Sequence, residues 1–158
     1  ARNAFEGPGV LMLEDLDLWA SPMTEGGDDF GGFVFSSLSR GAREVARLIK
    51  AMGGNELSAY GLAHLGDYEA TLFSEYSHNR MYGEMLVKDK KFEKLAEGVP
   101  TAAAMKKLGE KYGVDLPITC AVYDLCYGEA KEGEDCRTRC ESLLAKLFAR
   151  DTKSEFYC

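Results

Sequence analysis

Apolar residues that return every three or four positions, and never in sustained alternation, are the feature that most limits what this chain can fold into. Leu38, Ala42, Val45, Ala46, Leu48, Ile49 and Met52 recur at helical spacing, and the pair Gly53-Gly54 stops the run. A shorter helix is expected near Glu56 to Leu62 and another from Tyr68 to Tyr76. Ser77 is placed to cap a helix opening on HNRMYGEML, since its hydroxyl can accept from an unpaired first-turn N–H. Thr101 is expected to cap AAAMKKLGEKYG, with Gly113 as the residue that ends it in the left-handed conformation. Pro117 falls in the first turn of ITCAVYDLCYG, where its missing N–H costs nothing, and Asp135 precedes CRTRCESLLAKLFAR as its cap. With no period-two segment, no sheet is expected. The class is all-α.

The beginning of the chain has a different character. Gly-Pro, Ser-Pro and two Gly-Gly pairs punctuate residues 1–32 too often for a long helix, with a short apolar patch from Val10 to Trp19. The expected organisation is an extended arm over 1–32, a helical domain over 33–150 and a tail over 151–158.

Composition excludes several classes. A chain of 158 residues with 46% hydrophobic and 28% charged residues can bury a core without staples. Its net charge of −7 argues against nucleic acid, because a polyanion needs a basic face. No apolar run approaches the roughly 20 residues of a spanning helix. Cys120, Cys126, Cys136 and Cys140 fall close together, but their spacing is not that of paired zinc ligands and both histidines lie far upstream, so no metal is expected. They read as small apolar filler, or as one disulfide across a helical hairpin, Cys126 to Cys136, under oxidising conditions. Neither a GxGxxG opening a βαβ unit nor a GxxxxGK[ST], HExxH or GxSxG motif is present.

The stretch GLAHLGDYEATLFSEYSHNRMYG, from Gly61 to Gly83, resembles the substrate-domain signature of the NAD(P)-dependent glycerol-3-phosphate dehydrogenases. The resemblance continues upstream in FSSLSRGAREVARLIKAMGG and downstream in LAEGVPTAAAMKKLGEKYGVDLPITCAVYDLCYG, in order and without large gaps. It implies the family's helical C-terminal domain. It also implies hydride transfer between a nicotinamide cofactor and dihydroxyacetone phosphate or glycerol 3-phosphate, with the cofactor held by an N-terminal Rossmann domain that this sequence does not contain.

The resemblance assigns residues one by one. Asp67 matches the aspartate of the GLGD motif, and Thr71 the threonine after it. The Ser-Arg-Asn that grips the substrate phosphate is here Ser77, His78 and Asn79, followed by a retained Arg80. Glu97 matches a glutamate near the cofactor. Extending the alignment upstream sets Leu13, Glu14 and Asp15 against the family's Leu-Lys-Asn, so that the catalytic lysine becomes Glu14 and its asparagine Asp15. A near-dianionic substrate is best held by a bidentate arginine, whereas histidine offers at most one charged donor. One unit-charge pair at ~4 Å interacts by roughly 4 kcal/mol at a protein-like effective dielectric, and reversing one charge turns that attraction into repulsion, which is orders of magnitude in rate.

The expectation is therefore a pseudoenzyme. It has no cofactor and no catalytic residues, its substrate pocket is vestigial, and it serves as an accessory subunit that meets other protein subunits in part through residues 1–32. Because the sequence begins with Ala, an organellar assembly, respiratory or photosynthetic and peripheral to a membrane, is the expected setting. Two other readings stand beside it. One is the substrate-binding half of an NAD-dependent glycerol-3-phosphate dehydrogenase working with a separate or removed Rossmann domain. The other is a small-anion sensor using Asp67, Ser77 and Asn79. The kept residues also have structural explanations, with Asp67 and Ser77 as helix caps and Asn79 satisfying buried backbone.

Overall fold

The computed structural model describes residues 30–67, 74, 76–88, 90–129 and 134–148. Five α-helices carry it: α1 (Phe30–Ala51), α2 (His78–Val87), α3 (Gly98–Tyr112), α4 (Pro117–Tyr127) and α5 (Cys136–Phe148). Between α1 and α2 lie a 3₁₀ segment, Glu56–Tyr60, and a π-helical turn, Leu62–Gly66. There is no strand among the described residues. The all-α expectation holds, and no described helix is long and apolar enough to cross a membrane.

Local chemistry sets most of the helix ends. Ser77 accepts from the N–H of Arg80 at the start of α2, and the Asp135 carboxylate accepts from the N–H of Thr138 at 2.7 Å at the start of α5. Gly53 and Gly113 end α1 and α3 at φ 85° and 67°, conformations that a Cβ would strain. Pro117 opens α4 as expected.

Two expectations need correction. Thr101 is not the cap of α3, which starts a turn earlier at Gly98 with Glu97 as its N-cap, and the Thr101 hydroxyl instead donates back to the Glu97 carbonyl at 2.9 Å. Gly98 and Pro100 both sit in the first turn of α3, where proline lacks nothing the helix needs. Likewise α1 begins at Phe30, so residues 30–32 are helical and not part of an extended arm. Gly31 and Gly32 cost the helix roughly 1 kcal/mol each against alanine, which the propagation of a 22-residue helix absorbs. The rest of the arm, most of the expected 68–76 helix, and the 149–158 tail lie outside the described residues.

The helices enclose two apolar clusters that share α3 and α4. Val45, Ala46 and Leu48 of α1 meet Ala59, Met105 and Leu116 in one of them. Ala102, Ala121, Val122 and Leu125 meet Cys136 and Cys140 of α5 in the other, with Tyr82 and Leu86 of α2 packed against it. Arg40 of α1 also reaches the Leu147 carbonyl of α5.

Between the clusters α1 carries a buried acid. Glu44 is 2% exposed, and its carboxylate accepts from the N–H groups of Ile118 and Thr119 at 2.7 and 3.2 Å and from the Thr119 hydroxyl at 3.2 Å. A side chain from α1 thus caps the N-terminus of α4, where unpaired N–H groups and the helix field favour a negative charge. One turn on, Arg47 donates to the Asp115 carbonyl at 2.9 Å, so α1 grips the start of α4 twice. Burial nevertheless pushes the Glu44 carboxyl up to about 7, against the opposing pull of the Ile118 and Thr119 N–H groups and of Arg47.

Two outcomes follow for stability. Glu44→Ala strands two buried N–H donors and opens a cavity, an expected loss of about 2–4 kcal/mol in urea unfolding. The native carboxyl titrates near 7 against 4.5 for the ordinary group, so folding takes up a proton between those values. Its contribution is full below about pH 4.5 and is lost as pH rises through 7. Unfolding free energies at about pH 5 and about pH 8 should therefore move in favour of Glu44→Gln relative to wild type, by on the order of a few kcal/mol. A constant difference between the two proteins would show that Glu44 does not titrate in this range.

Candidate functional site

Ser74, Tyr76 and Ser77, just before α2, meet Leu95 and Glu97, just before α3, at the N-termini of the two helices. Between them is a cavity of about 500 Å³ lined by Ser74, Tyr76, Ser77, His78, Asn79, Leu95 and Glu97. Four of the residues singled out in the sequence, Ser77, His78, Asn79 and Glu97, therefore share one site although twenty positions separate the first from the last. Ser74, Tyr76 and Leu95 were not singled out. Their signal was only that they flank the motif residues, Tyr76 and Leu95 being large apolar side chains in polar surroundings, 81% and 68% exposed.

Each wall residue has a structural task. Asn79 is buried, and its Oδ1 accepts the N–H of Gly98 at 3.0 Å, capping α3 from α2. Ser77 caps α2. His78 is exposed; its Nδ1 lies 3.0 Å from the Leu95 carbonyl and its ring meets Phe92 edge-on at 6.1 Å. A carbonyl only accepts, so Nδ1 carries the proton, and in the neutral ring Nε2 is then an acceptor. Glu97 is exposed as the N-cap of α3.

Arg80, the retained arginine, does not line the cavity. Its Nε donates to the Ser74 carbonyl at 2.9 Å and its guanidinium lies 3.8 Å from Glu84 on the same helix. Glu84 also pairs with Lys88 at 2.7 Å, and that hydrogen bond holds its carboxyl below the usual range. Asp67 ends the π-helical turn, exposed, its N–H donating to the Leu62 and His64 carbonyls, and it is not among the residues lining the cavity. Glu14, Asp15 and Thr71 lie outside the described residues.

The chemistry available to an anion at this site is limited. A helix N-terminus binds phosphate through unpaired N–H groups, but in α3 those groups are committed. Gly98 donates to Asn79, Val99 to the Ala96 carbonyl and Thr101 to the Glu97 carbonyl, and Pro100 has no N–H. No lysine or arginine side chain is among the described lining residues, whereas the carboxylate of Glu97 is. Among the described residues no group of three or more His, Cys, Asp or Glu side chains is arranged to hold a metal.

The cysteines gather beyond the first turn of α2, where Tyr82 and Leu86 pack against them. Cys126, Cys136 and Cys140 belong to the α4–α5 cluster, the place of apolar filler, and the described cysteines are not joined by the alternative Cys126–Cys136 disulfide. The Tyr82 hydroxyl is pushed up to about 12, first by burial and then by its hydrogen bond with the Cys126 thiol.

Comparison with known proteins bears on the same elements. The family model described as NAD-dependent glycerol-3-phosphate dehydrogenase C-terminus matches residues 30–135, which contain every described wall residue and exclude Glu14 and Asp15. A glycerol-3-phosphate dehydrogenase [NAD(P)+] of Solidesulfovibrio magneticus is 37% identical over 134 residues, covering 80% of this chain and 38% of the relative. One from Thermus thermophilus is 41% identical over 123 residues, 75% of this chain and 36% of the relative. The chain thus spans less than two-fifths of the length of these relatives. In fold it is similar to the crystal structure of a glycerol-3-phosphate dehydrogenase from Coxiella burnetii, with a TM-score of 0.68 at 20% identity, over 92% of this chain and 42% of that one. The helices, the motif residues and these matches coincide, and the chain belongs to the family of the C-terminal domain of NAD-dependent glycerol-3-phosphate dehydrogenases.

Proposed function

We propose that this domain keeps the family's pocket as architecture and does not turn over a phosphorylated three-carbon substrate, acting as a non-catalytic subunit of a larger protein assembly. The observation that carries the reading is that no lysine or arginine side chain is among the described lining residues and that the first N–H groups of α3 are bonded within the protein. Where the family's motif has an arginine, His78 spends its Nδ1 proton on Leu95; Arg80 is turned onto Ser74 and Glu84, and the first N–H groups of α3 are bonded within the protein. Glu97 adds a negative charge where a phosphate would need positive ones. Exposed apolar side chains support the assembly: Leu62 is 90% exposed, and Tyr76 and Leu95 at the cavity also face solvent, as a surface waiting for a partner does.

A second reading has its own observation. Ser77, Asn79 and Glu97 do converge on one cavity, and the relatives that share this domain are named as dehydrogenases. In that reading the chain is the substrate half of an NAD-dependent glycerol-3-phosphate dehydrogenase acting with a Rossmann domain.

Binding and turnover separate the two. Isothermal titration of the full chain with glycerol 3-phosphate is expected to give no heat at millimolar ligand, and His78→Arg is expected to bind it at least ~10-fold more tightly, since a charge-assisted hydrogen bond is worth about 1.5–3 kcal/mol. Tight binding by the unaltered chain, or oxidation of NADH on adding dihydroxyacetone phosphate, overturns the non-catalytic reading. A monomeric elution in every native extract overturns the assembly.

The structural role of the kept residues is testable on its own. Asn79→Ala leaves the Gly98 N–H without its acceptor and Ser77→Ala removes a cap, and each is expected to lower stability by about 1–2 kcal/mol in thermal unfolding, with no ligand present.

A further inference from the structure

The thiols in the α4–α5 hairpin are placed for chemistry that neither the family nor the pocket uses. Cys126 stands in the last turn of α4 and Cys136 is the first residue of α5, so the two lie at the same, connected end of the hairpin. The register of that end is fixed from both sides, because Arg139 of α5 donates to the Asp124 carbonyl of α4 at 2.6 Å. Cys136 and Cys140 are each 8% exposed in the shared cluster and hydrogen-bond to each other, whereas Cys126 is half-buried at its edge. Cys126 and Tyr82 of α2 both pack against the apolar cluster that holds Cys136, which sets the two thiols in one cluster.

We propose that Cys126 and Cys136 are an oxidation site: a dithiol that a low-molecular-weight disulfide converts reversibly to an intramolecular disulfide clipping α4 to α5. Exposure orders the steps. The Cys126 thiolate attacks a sulfur of the reagent RSSR, forming a mixed disulfide and releasing one RS⁻. The Cys136 thiolate then attacks the Cys126 sulfur, forming the protein disulfide and releasing the second RS⁻. The two protein thiols lose two electrons, the reagent gains them, and the two thiol protons end on the two departing thiolates. Cys140 stays reduced, because it lies one helical turn further from the connected end of the hairpin, where Cys126 and Cys136 stand. Oxidation also removes the thiol that bonds Tyr82, so the state of the pair reaches α2, the helix whose first turn forms the wall of the cavity.

The test is oxidation of the native full chain with oxidised glutathione, alkylation of the remaining thiols and non-reducing tryptic mass spectrometry. Cleavage after Lys111, Lys131, Arg137 and Lys146 separates the three sites: YGVDLPITCAVYDLCYGEAK holds Cys126, EGEDCR holds Cys136, and the peptides that follow hold Cys140. The expected product is the first two joined, with fragmentation placing the bond on Cys126 rather than Cys120, Cys140 alkylated, and dithiothreitol restoring both thiols. A melting temperature raised by roughly 5 °C should accompany it, since the closed loop is short and the hairpin register already formed. Cys126→Ser should abolish both the link and the shift. A stable glutathione adduct on Cys126 with no cross-link, a Cys136–Cys140 or Cys120 link, or the same link appearing only in urea overturns the proposal.

Discussion

Everything in this domain hangs on the start of α4, and the start of α4 is held by a carboxylate borrowed from α1. A buried carboxylate is normally a liability, because desolvation disfavours its charge more than one neighbour can offset. Glu44 is tolerated because three donors converge on it, two of them N–H groups that the helix would otherwise leave unpaired. The result is a bond between helices 74 positions apart in sequence that neither apolar cluster could supply, since apolar packing fixes distance but not register. Arg47 adds a second point on the same face of α1, and two points set an orientation.

From there the pocket is built by transmission. With its N-terminus fixed, α4 runs to Tyr127, whose hydroxyl donates to the Val99 carbonyl in the first turn of α3 at 3.2 Å. That first turn follows directly on Glu97 of the cavity wall, and Asn79 reaches across from α2 to bond it at Gly98. The residues by which the family is recognised are thus also the residues that join α2 to α3. Retaining Ser77 and Asn79 is what folding alone would demand, so their presence says little about a ligand, while the residue at position 78, which folding leaves to the surface, says a good deal.

What was legible in the sequence divides along the same line between local and distant causes. Ser77, Gly113, Pro117 and Asp135 could be read because a cap or a left-handed glycine acts within four residues of itself. The starts of α1 and α3 were misread because Gly31, Gly32, Gly98 and Pro100 weigh against a helix interior but little against its first turn. Glu44 escaped notice entirely. In sequence it is one more charged residue in an amphipathic run, and only the arrival of Ile118 and Thr119 makes it the cap of another helix. The site was legible as a set of residues through resemblance, but not as a geometry. Arg80, matched with the motif, proved to face Ser74 and Glu84, and Asp67 stands outside the cavity wall.

The donors and charges at the cavity follow from the same helix ends. An arginine in the first turn of a helix adds its own charge to the field of the helix, and both draw an anion to the same place. With histidine there, and with the N–H groups of α3 bonded inward, the field of α3 remains but the donors that would convert it into binding do not. Glu97 stands at the N-cap of α3, exposed and without a side-chain capping bond. In this chain the first N–H groups of α3 serve the fold, and the cavity wall carries no lysine or arginine side chain among the described residues.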